Sequence, residues 1–91
     1  MTFEIKISGK VQGVWFRASA KDQAISLGLK GKAWNEPDGR VGIIVQGDRT
    51  QIDSFIEWCK EGPPLARVHE VQGVELQTNQ VYHGFDIARH A

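Results

Sequence analysis

The segment whose residue types are best suited to binding or catalysis runs from Gly9 to Arg17, with the sequence GKVQGVWFR. A strand pattern precedes it and a helix pattern follows it, which predicts a strand–loop–helix junction. Backbone N–H groups at such a junction point to one place beside the positive end of the helix dipole, and this favours an anion. Gly13 lets the backbone curl, and Arg17 carries a planar cation that can bond two phosphate oxygens. On spacing alone, a surface loop with a glycine turn and a solvated arginine explains this pattern more often, and a phosphate site is the alternative.

Asn35 is a second side chain of interest, because it lies shortly before the turn Pro37-Asp38-Gly39. The oxygen of its amide can accept a hydrogen bond from water while its NH₂ group donates to another partner. An asparagine in this position more often bonds only to its own backbone. Spacing alone therefore favours a structural role for Asn35 over a chemical one.

Other kinds of chemistry find little support in the residue types. Cys59 is the only cysteine, so neither an intramolecular disulfide nor a cysteine-based metal site can form. His69, His83 and His90 are scattered, and no two of them have the spacing of metal ligands on a helix. No serine lies in a Gly-x-Ser-x-Gly segment, which leaves acyl-enzyme chemistry unsupported. We expect no metal and no catalytic histidine.

Hydrophobic periodicity predicts the elements that position the loop. Phe3, Ile5 and Ile7 alternate with polar residues, as in a half-buried strand. After the loop, a helical apolar stripe is formed by Phe16, Ala20, Ala24 and Leu27. Residues 30–36 indicate a second strand, and the alternating residues 41–45 a third, so the turn between them predicts a hairpin.

The second half of the chain repeats this alternation of element types. Thr50-x-x-Asp53 resembles a capping box, with Asp in place of the usual Glu or Gln, and predicts a helix start. One face of that helix carries Ile52, Phe55, Ile56 and Cys59, and Gly62-Pro63-Pro64 ends it. Residues 68–76 indicate a longer strand, and Phe85 with Ile87 a short last one.

The element order predicts an α+β fold of the ferredoxin-like class. The order is βαββαβ with a possible short fifth strand, and we expect an antiparallel sheet with both helices on one face. With 91 residues, the chain is expected to form one domain over residues 1–91. This architecture hosts many activities, so it does not give the function.

Two segments of the chain resemble a known enzyme family, the acylphosphatases. The first carries the family's signature segment, Gly9-x-Val11-Gln12-Gly13-Val14-x-Phe16-Arg17. The second carries Leu27-Gly28-Leu29-x-Gly31, then Asn35, then Asp38-Gly39-x-Val41, with later landmarks at Gly62-Pro63 and Phe85-x-Ile87. The similarity extends over essentially the whole chain.

The resemblance implies hydrolysis of acyl phosphates to a carboxylate and inorganic phosphate, without a metal or another cofactor. It implies that Arg17 and Asn35 are catalytic, with Asn35 positioning water. The phosphate is then held by the loop of residues 11–17, through the backbone of Gln12, Gly13, Val14, Trp15, Phe16 and Arg17.

Three residues depart from the family's usual pattern. Lys32 stands where members often carry an aromatic residue, Trp34 where they often carry a basic one, and Gly42 where an acidic one is common. These changes leave Arg17 and Asn35 in place and bear on the packing of the hairpin and on acyl-group preference. Packing is the usual role of tryptophan, but Trp15 is also a candidate for contact with the acyl portion of the substrate, and Trp34 for the wall of the pocket.

Charge and composition limit the partners. Eleven basic and eleven acidic residues cancel, and no basic stripe indicates a nucleic acid. No stretch approaches the roughly 20 apolar residues that span a bilayer. We expect a cytoplasmic monomer that acts on a small acyl phosphate and releases inorganic phosphate, with no nucleic-acid or membrane partner. A non-catalytic phosphate-binding module and an RNA-binding sheet of the same topology remain the alternatives.

Overall fold

The computed structural model describes residues 1–89 of the chain. Its elements follow the order β1 (Thr2–Lys10), α1 (Phe16–Ser26), β2 (Lys30–Asn35), β3 (Val41–Gln46), α2 (Arg49–Cys59), β4 (Arg67–Leu76) and β5 (Phe85–Ile87). The predicted α+β, ferredoxin-like βαββαβ fold is confirmed, and the short fifth strand is present.

The five strands form one sheet in the order β4-β1-β3-β2-β5. β1 pairs antiparallel with β3 and β4, and β2 pairs antiparallel with β3 across the predicted hairpin. β5, in contrast, pairs parallel with β2, so the sheet is mixed and the prediction of a fully antiparallel sheet is wrong at this edge. Apolar alternation indicates which face a strand buries and not the direction in which it runs, so it does not predict this parallel pairing.

Both helices cover the same face of the sheet. The inward residues of β1 and β3 share one buried cluster with side chains from both helices, among them Phe16 and Ala20 of α1 and Ile52, Phe55 and Cys59 of α2. Burial also raises the pKa of the Cys59 thiol far above its usual value, because the thiolate would lose its hydration. Cys59 is therefore a core residue, as predicted.

The second helix begins two residues earlier than expected. α2 starts at Arg49 with Asp48 as its N-cap, so the capping box is Asp48-x-x-Gln51 and the predicted Thr50-x-x-Asp53 box is wrong. The backbone N–H of Asp48 donates to the Gln51 Oε1 at 2.9 Å. Gln at the fourth position is the usual partner in such a box, whereas Asp53 pairs with Arg49 one turn along the helix at 3.0 Å.

The sheet face opposite the helices holds a buried tryptophan. Ala33 belongs to the core beneath the helices, so its neighbour Trp34 points to the other face, yet the Trp34 side chain has 0% exposure. The ammonium groups of Lys6 and Lys32 lie 5.1 and 5.4 Å from the centre of its ring. The indole N–H donates to Glu36 Oε2 at 3.1 Å, and the other Glu36 oxygen is paired with Lys6. Polar side chains thus seal the ring on the solvent side.

The departures at positions 34 and 42 form a matched pair. Trp34 lies directly opposite Gly42 in the register of β2 and β3. A Cβ atom at position 42 would lie 2.4 Å from Cε2 of the indole ring, which no real contact tolerates. The indole ring of Trp34 in this position therefore requires glycine at position 42.

Candidate active site

The loop between β1 and α1 is tightly curled. Gly13 has φ +74° and Trp15 has φ +66°, so two left-handed residues lie within three positions just before the helix begins at Phe16. The backbone N–H groups of residues 12–17 make no hydrogen bond to another group of residues 1–89. These free donors and the start of the helix dipole together favour a bound anion.

Trp15 is held in a conformation that tryptophan normally avoids. It is the only residue other than glycine with positive φ in the part of the chain that the structure describes. The left-handed region costs such a residue about 1–2 kcal/mol, because its Cβ crowds the carbonyl oxygen. Strain of this kind persists mainly at functional sites.

The side chain of Gln12 fixes the loop to the hairpin. Its Nε2 donates to the carbonyl oxygen of Glu36 at 2.8 Å and to that of Arg40 at 2.9 Å. Glu36 directly follows Asn35 at the end of β2. The sequence analysis predicts a role only for the backbone of Gln12. In the structure, the Gln12 side chain also connects the loop to the end of β2, where Asn35 lies.

One pocket of about 310 Å³ opens beside the loop. It is lined by Val11, Gly13, Trp15, Phe16, Arg17, Ala18, Asn35 and Ile87. Arg17 and Asn35, which are 18 positions apart in the chain, therefore line the same pocket. Gln12 and Val14 are outside the lining, and Val14 is buried.

The two tryptophans that were candidates for the pocket differ in their positions. Trp15 lines the pocket, but Trp34 does not, so its role as a pocket wall is wrong; it lies on the opposite face of the sheet. The predicted phosphate loop includes Val11, but sequence reasoning missed Ala18 and Ile87 as pocket residues. Ala18 could have been found as the neighbour of Arg17, whereas Ile87 enters only through the parallel pairing of β5 with β2.

The amide of Asn35 has an unused acceptor. Its Oδ1 is buried and has no hydrogen-bond partner among residues 1–89. The turn bond expected of Asn35 is made by Asp38 instead, whose Oδ1 accepts from the backbone N–H of Arg40 at 3.1 Å. That same bond lowers the pKa of the Asp38 carboxyl below its usual value. A buried acceptor without a partner costs about 1–3 kcal/mol, which points to a water or a ligand at this position.

The guanidinium of Arg17 is available to a ligand. Arg17 is half-buried and forms no ion pair with any of residues 1–89. Among residues 1–89, it is also the one charged side chain that lines the pocket. An anion in this space would therefore meet one cation and several backbone donors.

Comparison with known proteins relates this arrangement to an enzyme family. The family model described as acylphosphatase matches residues 3–87. The chain belongs to the acylphosphatase family. Acylphosphatases are hydrolases that split acyl phosphates, so the chain is an enzyme with a small-molecule substrate and inorganic phosphate as a product. This outcome favours the enzyme over a non-catalytic module.

The relatives extend over nearly all of the chain. An acylphosphatase of Acaryochloris marina is 49% identical over 83 residues, which is 91% of this chain and 88% of that protein. One from Methylococcus capsulatus is 42% identical over 85 residues, covering 93% and 92%. The crystal structure of a Bacillus subtilis acylphosphatase superposes with a TM-score of 0.92 at 33% identity, covering 96% of this chain and 97% of that one.

Several remaining predictions concern residues outside the pocket. His69 and His83 are exposed and neither lines the pocket, while His90 lies outside the described residues. Between residues 1 and 89, no three His, Cys, Asp or Glu side chains gather as a metal site would require. None of the helices in that range is long and apolar enough to cross a membrane. Trp34, the ring on the open sheet face, is fully buried and cannot stack on an RNA base.

Proposed function

We propose that Arg17 and the backbone of residues 12–17 bind the phosphoryl group of the acyl phosphate and that Asn35 positions the attacking water. The observation that carries the proposal is the buried, unpartnered Oδ1 of Asn35 in the lining of the same pocket as Arg17. A carbonyl oxygen of this kind accepts a hydrogen bond from water and so turns a lone pair of the water toward the phosphorus. The unpaired guanidinium supplies the opposite charge.

The reaction needs positioning more than covalent help. The water oxygen attacks phosphorus while the bond between phosphorus and the acyl oxygen breaks, and the carboxylate leaves with the electron pair. A carboxylate departs without a proton, so no protein acid is required. The proton of the water passes to a phosphoryl oxygen. Arg17 and the N–H groups stabilise the charge on the equatorial oxygens, and Asn35 lowers the entropic cost of orienting the water.

Each of these steps is assigned to a protein group or to the substrate itself. The proposal therefore expects hydrolysis to continue in excess chelator, with no metal or other cofactor. Separately from the mechanism, we propose that the protein is a cytoplasmic monomer without a nucleic-acid or membrane partner. Release of phosphate from acetyl phosphate in the presence of EDTA tests the chemical part directly.

Two substitutions test the assigned roles separately. Arg17→Lys should lower kcat/KM on the order of 10²–10³-fold, because a point charge cannot replace a guanidinium that bonds two oxygens. Asn35→Ala should lower kcat by a similar order while leaving inhibition by inorganic phosphate nearly unchanged, because the phosphoryl contacts remain.

Exposed residues of the same types provide the controls. Arg67→Lys at the start of β4 and Asn79→Ala after it lie outside the pocket and should keep normal kinetics. Near-normal turnover by Arg17→Lys would overturn the role of the guanidinium. Loss of phosphate inhibition in Asn35→Ala, in protein that is folded by circular dichroism, would show that Asn35 binds phosphate instead of positioning water.

A further inference from the structure

The mouth of the pocket exposes two large apolar side chains. Trp15 has 76% exposure and Ile87 has 44%, although both line the same concave space. They come from distant parts of the chain, Trp15 from the loop before α1 and Ile87 from β5. Apolar surface that is gathered at a cleft and left open to water marks a binding site more often than the scattered exposed residues elsewhere do.

Folding does not explain why tryptophan occupies position 15. Its backbone is in the left-handed region, where glycine or asparagine carries a smaller penalty. Its ring is mostly exposed, so burial does not offset that penalty. The ring therefore has neither a conformational nor a packing reason to be there. A contact with something outside the chain is the remaining physical reason.

The pocket has more room than a phosphoryl group needs. Its volume is about 310 Å³, and the residues beyond the predicted phosphate loop are Ala18, Asn35 and Ile87. Within the part of the chain that the structure describes, the lining contains one cation, Arg17, which the proposed mechanism assigns to the phosphoryl group. An acyl group with a second phosphate or a carboxylate would find no second cation in this wall. An apolar acyl group would find apolar neighbours.

We infer that Trp15 and Ile87 form a subsite for the acyl portion of the substrate, and that this chain prefers acyl phosphates with a flat apolar acyl group. The inference rests on the proposed function, because it places the phosphoryl group at Arg17. Aromatic rings attract one another when stacked with an offset or packed edge to face, and the exposed indole offers such a surface. Ile87 borders the same space from the side of β5 and limits where the group can lie.

The test compares benzoyl phosphate with acetyl phosphate. The measured quantity is the ratio of kcat/KM for the two substrates in each variant, divided by the same ratio in the unchanged protein. Trp15→Gly fits the left-handed backbone and so removes the ring without new strain. We expect Trp15→Gly to lower the ratio on the order of tenfold, because the benzoyl group loses an aromatic contact and the apolar area that it buries against the indole ring. Ile87→Ala should lower the ratio about threefold.

The control and the contrary outcomes separate this inference from the proposed function. Val74→Ala shortens an apolar side chain on β4 that has 62% exposure and lies outside the pocket, and it should leave the ratio unchanged. An unchanged ratio in Trp15→Gly and Ile87→Ala would overturn the subsite, even if both hydrolyse acetyl phosphate well. Higher kcat/KM for an acyl phosphate with a carboxylate in its acyl group than for benzoyl phosphate would overturn it also. Full activity of Arg17→Lys would instead overturn the proposed function.

Discussion

At the scale of single residues, Gln12 links the two halves of the proposed mechanism. Its amide donates to the carbonyl oxygens of Glu36 and Arg40, and Asn35 precedes Glu36 in the same strand end. We expect Gln12→Ala to lower the free energy of unfolding by about 1–3 kcal/mol, because two hydrogen bonds are lost. We also expect kcat to fall about tenfold or more, because a loop that shifts relative to Asn35 misplaces the phosphorus and the water. Denaturant unfolding and steady-state kinetics measure the two effects.

Gln46 provides a control for the loss of stability. Its Nε2 also makes two bonds, to Thr2 Oγ1 at 2.9 Å and to the Gln80 carbonyl at 2.8 Å, but it lies away from the pocket. Gln46→Ala should therefore destabilise the fold to a similar or larger degree with unchanged kcat. If the two variants lose activity in proportion to their stability, Gln12 has no positioning role.

The sequence predicts residue identities at the site better than residue contacts. Arg17 and Asn35 stand out through their types and through the resemblance to the family, and both line the pocket. The contacts of Gln12 could not be predicted, since they depend on where a distant hairpin places two carbonyl groups. The same holds for Asn35, whose expected turn bond is made by Asp38. Local hydrogen-bond preferences leave such competition between neighbours undecided.

At the scale of elements, the hairpin of β2 and β3 depends on the pairing of Trp34 with Gly42. We expect Gly42→Ala to lower the free energy of unfolding by about 1–3 kcal/mol, because the new methyl group would overlap the indole ring. In a Trp34→Leu background the same change should cost less than about 0.5 kcal/mol, because the overlap is gone. Denaturant unfolding of the four variants gives this coupling as a double-mutant cycle.

Another strand glycine controls for the general effect of adding a methyl group. A Cβ atom at Gly73 in β4 would lie 3.6 Å from Ile56 Cδ1, which is an ordinary contact. Gly73→Ala should therefore be neutral or slightly stabilising, since alanine loses less conformational entropy on folding. Equal costs for Gly42→Ala with and without Trp34 would show that the two residues are not coupled.

Periodicity predicted the elements themselves more reliably than their ends and pairings. The core faces of both helices and the hairpin follow from apolar spacing, which is a property of consecutive residues. The predicted start of α2 is two residues too late, because Thr50 and Asp48 both have cap-forming side chains and only Asp48 is followed by Gln at the right distance. The parallel pairing of β5 joins Ala33 to Ile87, a contact that no local pattern encodes.

At the scale of the whole molecule, a balanced charge leaves recognition to the pocket. The formal net charge is zero, so no long-range field draws an anionic substrate to the protein. In the proposed mechanism, the N–H groups of the loop and Arg17 supply the attraction at short range. The single domain over residues 1–91, the monomeric state and the cytoplasmic location stay predictions, of which sedimentation tests the second.

The charge distribution also predicts how hydrolysis responds to pH. Among residues 1–89, no Asp, Glu, His, Cys, Lys or Tyr side chain lines the pocket, and arginine stays protonated throughout this range. We expect kcat for acetyl phosphate to change by less than about twofold between about pH 5.5 and 8.5, whereas a histidine base with a pKa near 6.5 would raise kcat about tenfold over the same range. A variant with His69, His83 and His90 all replaced by Gln should show the same profile. A rise in kcat with a midpoint near pH 6.5 that disappears in this variant would place a histidine in the reaction, and the water would then lose its proton to the protein and not to the phosphoryl group.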